Sequence, residues 1–222
     1  HADEAERAKF AGAVRSAAAV QHPNLAVIRD VVEAKTDLFI ILDLISGKSL
    51  AAKIKEEGGM GMAEAHRILG PICHAVHTAH AARMLHGALT PANIMLTEDG
   101  VPVLTDLGIS RPAYEAVARL TAGERPGLRS YWAPEDAGGG ASVGSETYAL
   151  GVILYEILTG LLPFSEPGMQ ANKENGKYTP PRFLDASLPK ETDTLMAAVL
   201  APEPSKRIVD VMEFFKKLDE LQ

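Results

Sequence analysis

The chain has 222 residues, with 22 Lys and Arg against 29 Asp and Glu and a formal net charge of −7. Its 46% apolar and 23% charged content is that of an ordinary globular protein, which excludes a disordered chain, and no run of about 18 apolar residues marks a membrane helix. An acidic balance without a basic cluster argues against nucleic-acid binding, and a single cysteine, Cys73, excludes an internal disulfide or a cysteine-based zinc site and points to a reducing, cytoplasmic setting.

The first residue is His1, with no basic segment leading into an apolar one, so the sequence reads as part of a longer chain rather than as a secretory leader. Asp3 to Val20 is Ala-rich with interspersed charges and predicts a helix, ended by Pro23. Ala26–Glu33 and Leu38–Leu44 are Val-, Ile- and Leu-rich and flank a turn, which predicts a β-hairpin. Ser49 is a suitable N-cap for a short helix to about Glu57. Ala63 to Arg83 has apolar residues at mixed three- and four-residue spacing, with Pro71 either kinking the helix or marking its true start. Asn93–Leu96 and Val101–Leu104 read as strands around an EDG turn. Residues 106–143 read as a long loop with short helices. Thr147–Leu158 is apolar almost all round, the pattern of a buried helix. Residues 163–189 read as irregular, and helices over about 190–200 and 208–221 close the chain. No internal repeat is visible.

A series of short motifs stands in order along this framework: QHPNL (21–25), IILDLISGKSL (40–50), HGALTPAN (86–93), DLG (106–108), YWAPE (131–135), ETYALGVILYEILTGLLPF (146–164) and PEPSKR (202–207). Each alone is weak. Together, in this order and spacing, they resemble the eukaryotic-type Ser/Thr protein kinases over nearly the whole chain. The resemblance implies an α+β protein-kinase-like fold. Residues 1–45 would be the remnant of the N-lobe, a helix with two strands and the hinge, and residues 46–222 the mainly helical C-lobe.

The same resemblance implies a degenerate member of the family. Phosphoryl transfer depends on positioned charges. The glycine-rich phosphate cover and the phosphate-gripping lysine have no counterpart in this sequence. The glutamate that holds that lysine falls on Ala13, with Glu6 about two turns away. In the catalytic loop Ala88 replaces the aspartate that accepts the substrate proton, Thr90 replaces the lysine two residues on, and Gly87 replaces the preceding arginine. Leu128 stands where a threonine contacts that aspartate and lysine. An alanine methyl cannot accept a proton. Asn93 and Asp106 match the family's Mg²⁺-holding residues, so weak Mg-ATP binding is the residual cofactor expectation and no cofactor the leading one. His86, Glu135, Glu146 and Arg207 match architectural positions, with Glu135 and Arg207 as a buried ion pair and Glu146 in place of an aspartate that holds the catalytic-loop backbone. His74, His77 and His80 recur on one helix, and a metal site there is weighed against ordinary packing. Cys73 reads as a core residue.

The resulting expectation is a pseudokinase that acts as a protein-interaction or regulatory scaffold. Two rivals stand beside it: a Ser/Thr kinase with weak or unconventional phosphotransfer, and a nucleotide-sensing switch. The partner is expected to be another protein, with self-association through apolar residues near the hinge, Leu42, Leu44 and Ile45, rather than nucleic acid or membrane.

Overall fold

The alanine-rich opening forms helix α1 (Glu4–Ala18) in the computed structural model, which describes residues 4–34, 37–109, 127–138 and 140–221. Ala11, Val14 and Ala17, at three-residue spacing, are its buried stripe. This face packs against a two-stranded antiparallel sheet, β1 (Ile28–Ala34) and β2 (Asp37–Leu42), in which Val31 pairs with Ile40 and Val32 with Phe39. Side chains alternate across a strand. Val31, Ile40 and Leu42 therefore pack toward the core, while Val32, Phe39 and Ile41 face outward and are exposed.

A second sheet has the order β3 (Gly47–Ser49), β4 (Ile94–Thr97), β5 (Pro102–Leu104), all antiparallel. The sequence offers no sign of β3, because Gly-Lys-Ser carries no strand propensity. Pairing with β4 alone makes it a strand. The backbone of the α1–β1 connection is stitched to β5: Ala26 N–H donates to Leu104 O at 2.9 Å, Leu104 N–H to Asn24 O at 2.8 Å, and the Asn24 side chain to Pro102 O at 2.7 Å.

The remainder is helical. The Ser49 hydroxyl accepts the Ala52 amide and starts α2 (Leu50–Glu57). Helix α3 (Met62–Ala81) runs unbroken through Pro71. The residue before a proline resists the helical region because the proline ring meets its Cβ. Here that residue is Gly70, which has none, and Phe215 would lie 3.1 Å from any Cβ placed there. Helix α4 (Val143–Thr159) is capped reciprocally by Ser142 and Ser145 and ends on Gly160 in the left-handed region, φ 71°. A Cβ at Gly160 would stand 2.9 Å from the Gly59 amide nitrogen. All of α4 from Ser145 to Leu158 except Glu156 is buried, so this helix is the axis of the core. Short helices α5 (Met169–Glu174) and α6 (Pro181–Leu184) occupy the stretch expected to be irregular. Helices α7 (Thr192–Val199) and α8 (Val211–Asp219) complete the chain, α8 lying against α3. Of the predicted loop over 106–143, residues 110–126 and 139 lie outside the described residues. The rest includes 3₁₀ turns at Leu128–Tyr131 and Pro134–Gly138. Among the described residues no helix is long and apolar enough to cross a membrane.

Candidate active-site cleft

The loop between α3 and β4 is held from beneath by two buried side chains. His86 donates from Nε2 to Thr105 O at 2.7 Å, and its Nδ1 accepts the Ala88 amide at 3.3 Å. Burial lowers its pKa below the ordinary histidine value. Glu146, from the first turn of α4, accepts the Gly87 amide at 2.5 Å with Oε1, and its Oε2 accepts His80 Nε2–H at 2.6 Å. The additional methylene of a glutamate is thereby used: one carboxylate spans from α4 to the loop and to α3. The sequence placed His80 in a histidine series; the fold assigns it to Glu146.

On this scaffold Ala88 is buried, 1% exposed, and its carbonyl accepts the Asn93 side-chain amide at 2.9 Å. Thr90, also buried, begins the 3₁₀ turn Pro91–Asn93. The Thr105 amide donates to Asn93 O at 2.8 Å, which brings Asp106 next to this turn. Asp106 adopts φ 62°, in the left-handed region that aspartate enters more readily than most side chains. Asn93 and Asp106 supply hard oxygen donors on adjoining loops, the kind of ligand Mg²⁺ takes. At Ala88 and Thr90 the same loop carries a methyl group and a neutral hydroxyl, both buried. Ala13 is half-buried on α1; the side chain of Glu6 lies outside the described residues.

Leu128 begins the turn Leu128–Tyr131 and is half-buried. That turn is bound to the helices behind it. Tyr131 donates to Glu156 Oε2 on α4 at 2.6 Å, and Lys173 Nζ on α5 donates to Arg129 O at 2.6 Å and Trp132 O at 2.7 Å. Lys173 is 1% exposed, and burial pushes its ammonium down to about 8. Next to it, Arg207 grips Glu135 through two parallel bonds of 2.7 and 3.0 Å. Arg207 also donates to Ala201 O and Pro202 O and lies 4.8 Å from the centre of the Tyr148 ring. Sequence reasoning named Glu135 and Arg207 but missed Tyr131–Glu156 and Lys173. Nothing in QANKENGK distinguishes the buried Lys173 from the exposed Lys177.

The other α3 histidines face away from the cleft. His74 meets the Phe215 ring edge-on at 5.1 Å, and His74 and His77 line a groove with His22, His66 and Arg67. Among the described residues no group of three His, Cys, Asp or Glu is arranged to hold a metal. Cys73 is buried, and burial pushes its thiol pKa far up.

A family model described as the protein kinase domain matches residues 1–217. This chain belongs to the protein kinase family. Bacterial serine/threonine-protein kinases are among the proteins it is similar to. The chain is 30% identical over 205 residues to the serine/threonine-protein kinase PknA of Mycobacterium tuberculosis, covering 90% of this chain and 47% of that protein. It is 28% identical over 215 residues to the probable serine/threonine-protein kinase PknB of Lactococcus lactis (95% and 34%), and 27% identical over 226 residues to that of Bifidobacterium longum (96% and 33%). The chain thus spans about a third to a half of the length of the curated relatives it matches.

Proposed function

We propose that this kinase domain is a pseudokinase that works through protein recognition rather than phosphate transfer. The observation that carries the reading is Ala88: a buried methyl stands where the proton-accepting carboxylate of a kinase belongs, and its backbone is tied down by Asn93. Loss of a positioned general base costs about 10²–10⁴-fold in rate, and Thr90, Leu128 and Ala13 remove its supporting charges and contacts. The single cysteine supports a reducing, cytoplasmic location.

The test is a radiolabelled Mg-ATP assay with generic protein substrates. We expect no incorporation above a heat-killed control; robust transfer by the purified domain overturns the reading. The names of the bacterial relatives support the rival, a Ser/Thr kinase with weak or unconventional transfer, which the same assay would reveal. The oxygen-bearing side chains of Asn93 and Asp106, on loops joined by the Thr105–Asn93 bond, favour a further reading, a nucleotide-sensing switch in which these two residues would hold the Mg²⁺ that screens nucleotide phosphates. A thermal shift with Mg-ATP that is absent with Mg²⁺ alone and abolished in Asp106→Ala would support it.

A further inference from the structure

Four side chains from three separate parts of the core converge on residues 129–135. Tyr131 is bound to Glu156, Glu135 to Arg207, and the Pro134 carbonyl accepts from Gln170 at 3.2 Å. The fourth is the unusual one. Lys173 spends a buried ammonium on two backbone carbonyls, Arg129 O and Trp132 O, that lie three residues apart and define the shape of the turn. A buried charge is costly unless its hydrogen bonds are met and counter-charges lie close. Both conditions hold: Asp136, itself buried, and Glu166 act on Lys173 electrostatically.

We propose that Lys173 is a positioning residue, an internal tether that fixes residues 128–136 in one conformation without any added phosphate. Among the described residues, Glu156, Gln170, Lys173 and Arg207 all reach this stretch from the domain's own helices and their connections. Segments of this kind can be ordered instead by phosphorylation, through new charge-assisted bonds to cationic side chains; here a lysine already inside the protein supplies the cation, and backbone carbonyls stand in for the phosphate oxygens. A surface fixed before its partner arrives loses less conformational entropy on binding.

Lys173→Met keeps the length of the side chain and removes the donor, and its effect separates tethering from general packing. The buried Asp136 and two buried carbonyls are then left without their cation, and the cost falls on the turn that holds them. In hydrogen exchange of the whole chain we expect the Ser130 and Trp132 amides, which donate within this turn at 3.2 Å, to exchange about ten- to a hundredfold faster in the variant, with α4 amides little changed. Trp132 is the single tryptophan, so its emission should shift in step. Unchanged exchange at Ser130 and Trp132, or a uniform rise across α4 as well, overturns the proposal. A second measurement needs no variant. In the phosphatase-treated parent chain the Ser130, Trp132 and Asp136 amides should stay protected; exchange at free-peptide rates there overturns it equally.

Discussion

The Glu146 carboxylate bonds the Gly87 amide at 2.5 Å and the His80 ring at 2.6 Å, so one side chain joins α3, α4 and the catalytic loop. Its removal strands a backbone amide and an imidazole that are both largely enclosed, each costing about 1–3 kcal/mol. Glu146→Ala should therefore lower the unfolding free energy by at least about 2 kcal/mol in urea titration. Glu146→Asp, one methylene shorter, should lose one of the two bonds and fall between the variant and the parent. Equal stability of all three proteins would show that the carboxylate does not bind this loop.

Arg207→Ala tests the ion pair with Glu135. The Arg207 side chain is fully enclosed, while that of Glu135 is 33% exposed. Breaking a buried pair by removing one partner costs about 3–5 kcal/mol; the partly solvated Glu135 places the expectation at the lower end. Two carbonyl contacts and the Tyr148 ring contact are lost with it. Denaturant unfolding measures the change, and a loss below about 1 kcal/mol would contradict the anchoring role.

Acid should destabilise the domain before ordinary carboxylates titrate. His22 and His86 both have pKa values lowered, chiefly by burial; nearby His74 lowers His22 further, whereas Glu146 and Asp106 partly offset the effect at His86. Each ring also uses Nδ1 as an acceptor, from Asn24 N–H and Ala88 N–H respectively, which a proton there would abolish. As pH falls through about 6.5 the unfolded chain takes up protons that the folded chain resists, so stability drops. The His22 groove also contains His66, paired with Asp219, and Arg67, paired with Glu64. Melting temperatures should fall between pH 7 and pH 5, less steeply in His22→Gln. A flat profile over that range is the contrary result.

The same sign holds at Lys173, in a higher pH window. Its folded pKa, about 8, lies below the ordinary 10.5. Between those values the unfolded chain holds a proton that the folded chain has released, so this residue's contribution to stability increases as pH rises through that window. The full difference is on the order of 3 kcal/mol. Comparing parent and Lys173→Met by denaturant unfolding from pH 7.5 to 9.5 isolates it, since raised tyrosines common to both proteins cancel. The parent should gain on the variant as pH rises.

The hinge-side surface carries a prediction about association. Leu44 is 92% exposed, next to the outward face formed by Val32, Phe39 and Ile41; Leu42 and Ile45 are half-buried. Exposed apolar groups beside a sheet edge favour pairing with another chain. Light scattering should show concentration-dependent self-association of the parent that Leu44→Asp diminishes. A parent that stays monomeric, or a variant that associates as much, would refute this.

Much of this architecture is legible in the residues themselves. Helix α4 shows because it is apolar on every side, and the hairpin β1–β2 because two β-rich runs flank a turn. Glu135 and Arg207 could be named because motifs placed them, although 72 residues separate them. What stayed hidden depends on tertiary neighbours. Strand β3 exists only through its pairing with β4. Pro71 is tolerated because of Gly70 before it and Phe215 against it. Which of three evenly spaced histidines turns inward is decided by Glu146, 66 residues away. The burial of one lysine among several polar neighbours is decided by two carbonyls more than 40 residues earlier.

The stitching of residues 24–26 to β5 has a consequence for how the chain assembles. Asn24 and Pro102 are 78 residues apart, and closing so long a loop is slow relative to local contacts. As the chain emerges from the ribosome, α1 and its hairpin are complete long before β5 exists to receive them. Their outward apolar residues and open strand edges are then unsheltered through the synthesis of α2, α3 and β4. Residues 24–42 therefore stay open to chaperones and to neighbouring nascent chains until residues 102–104 have been made.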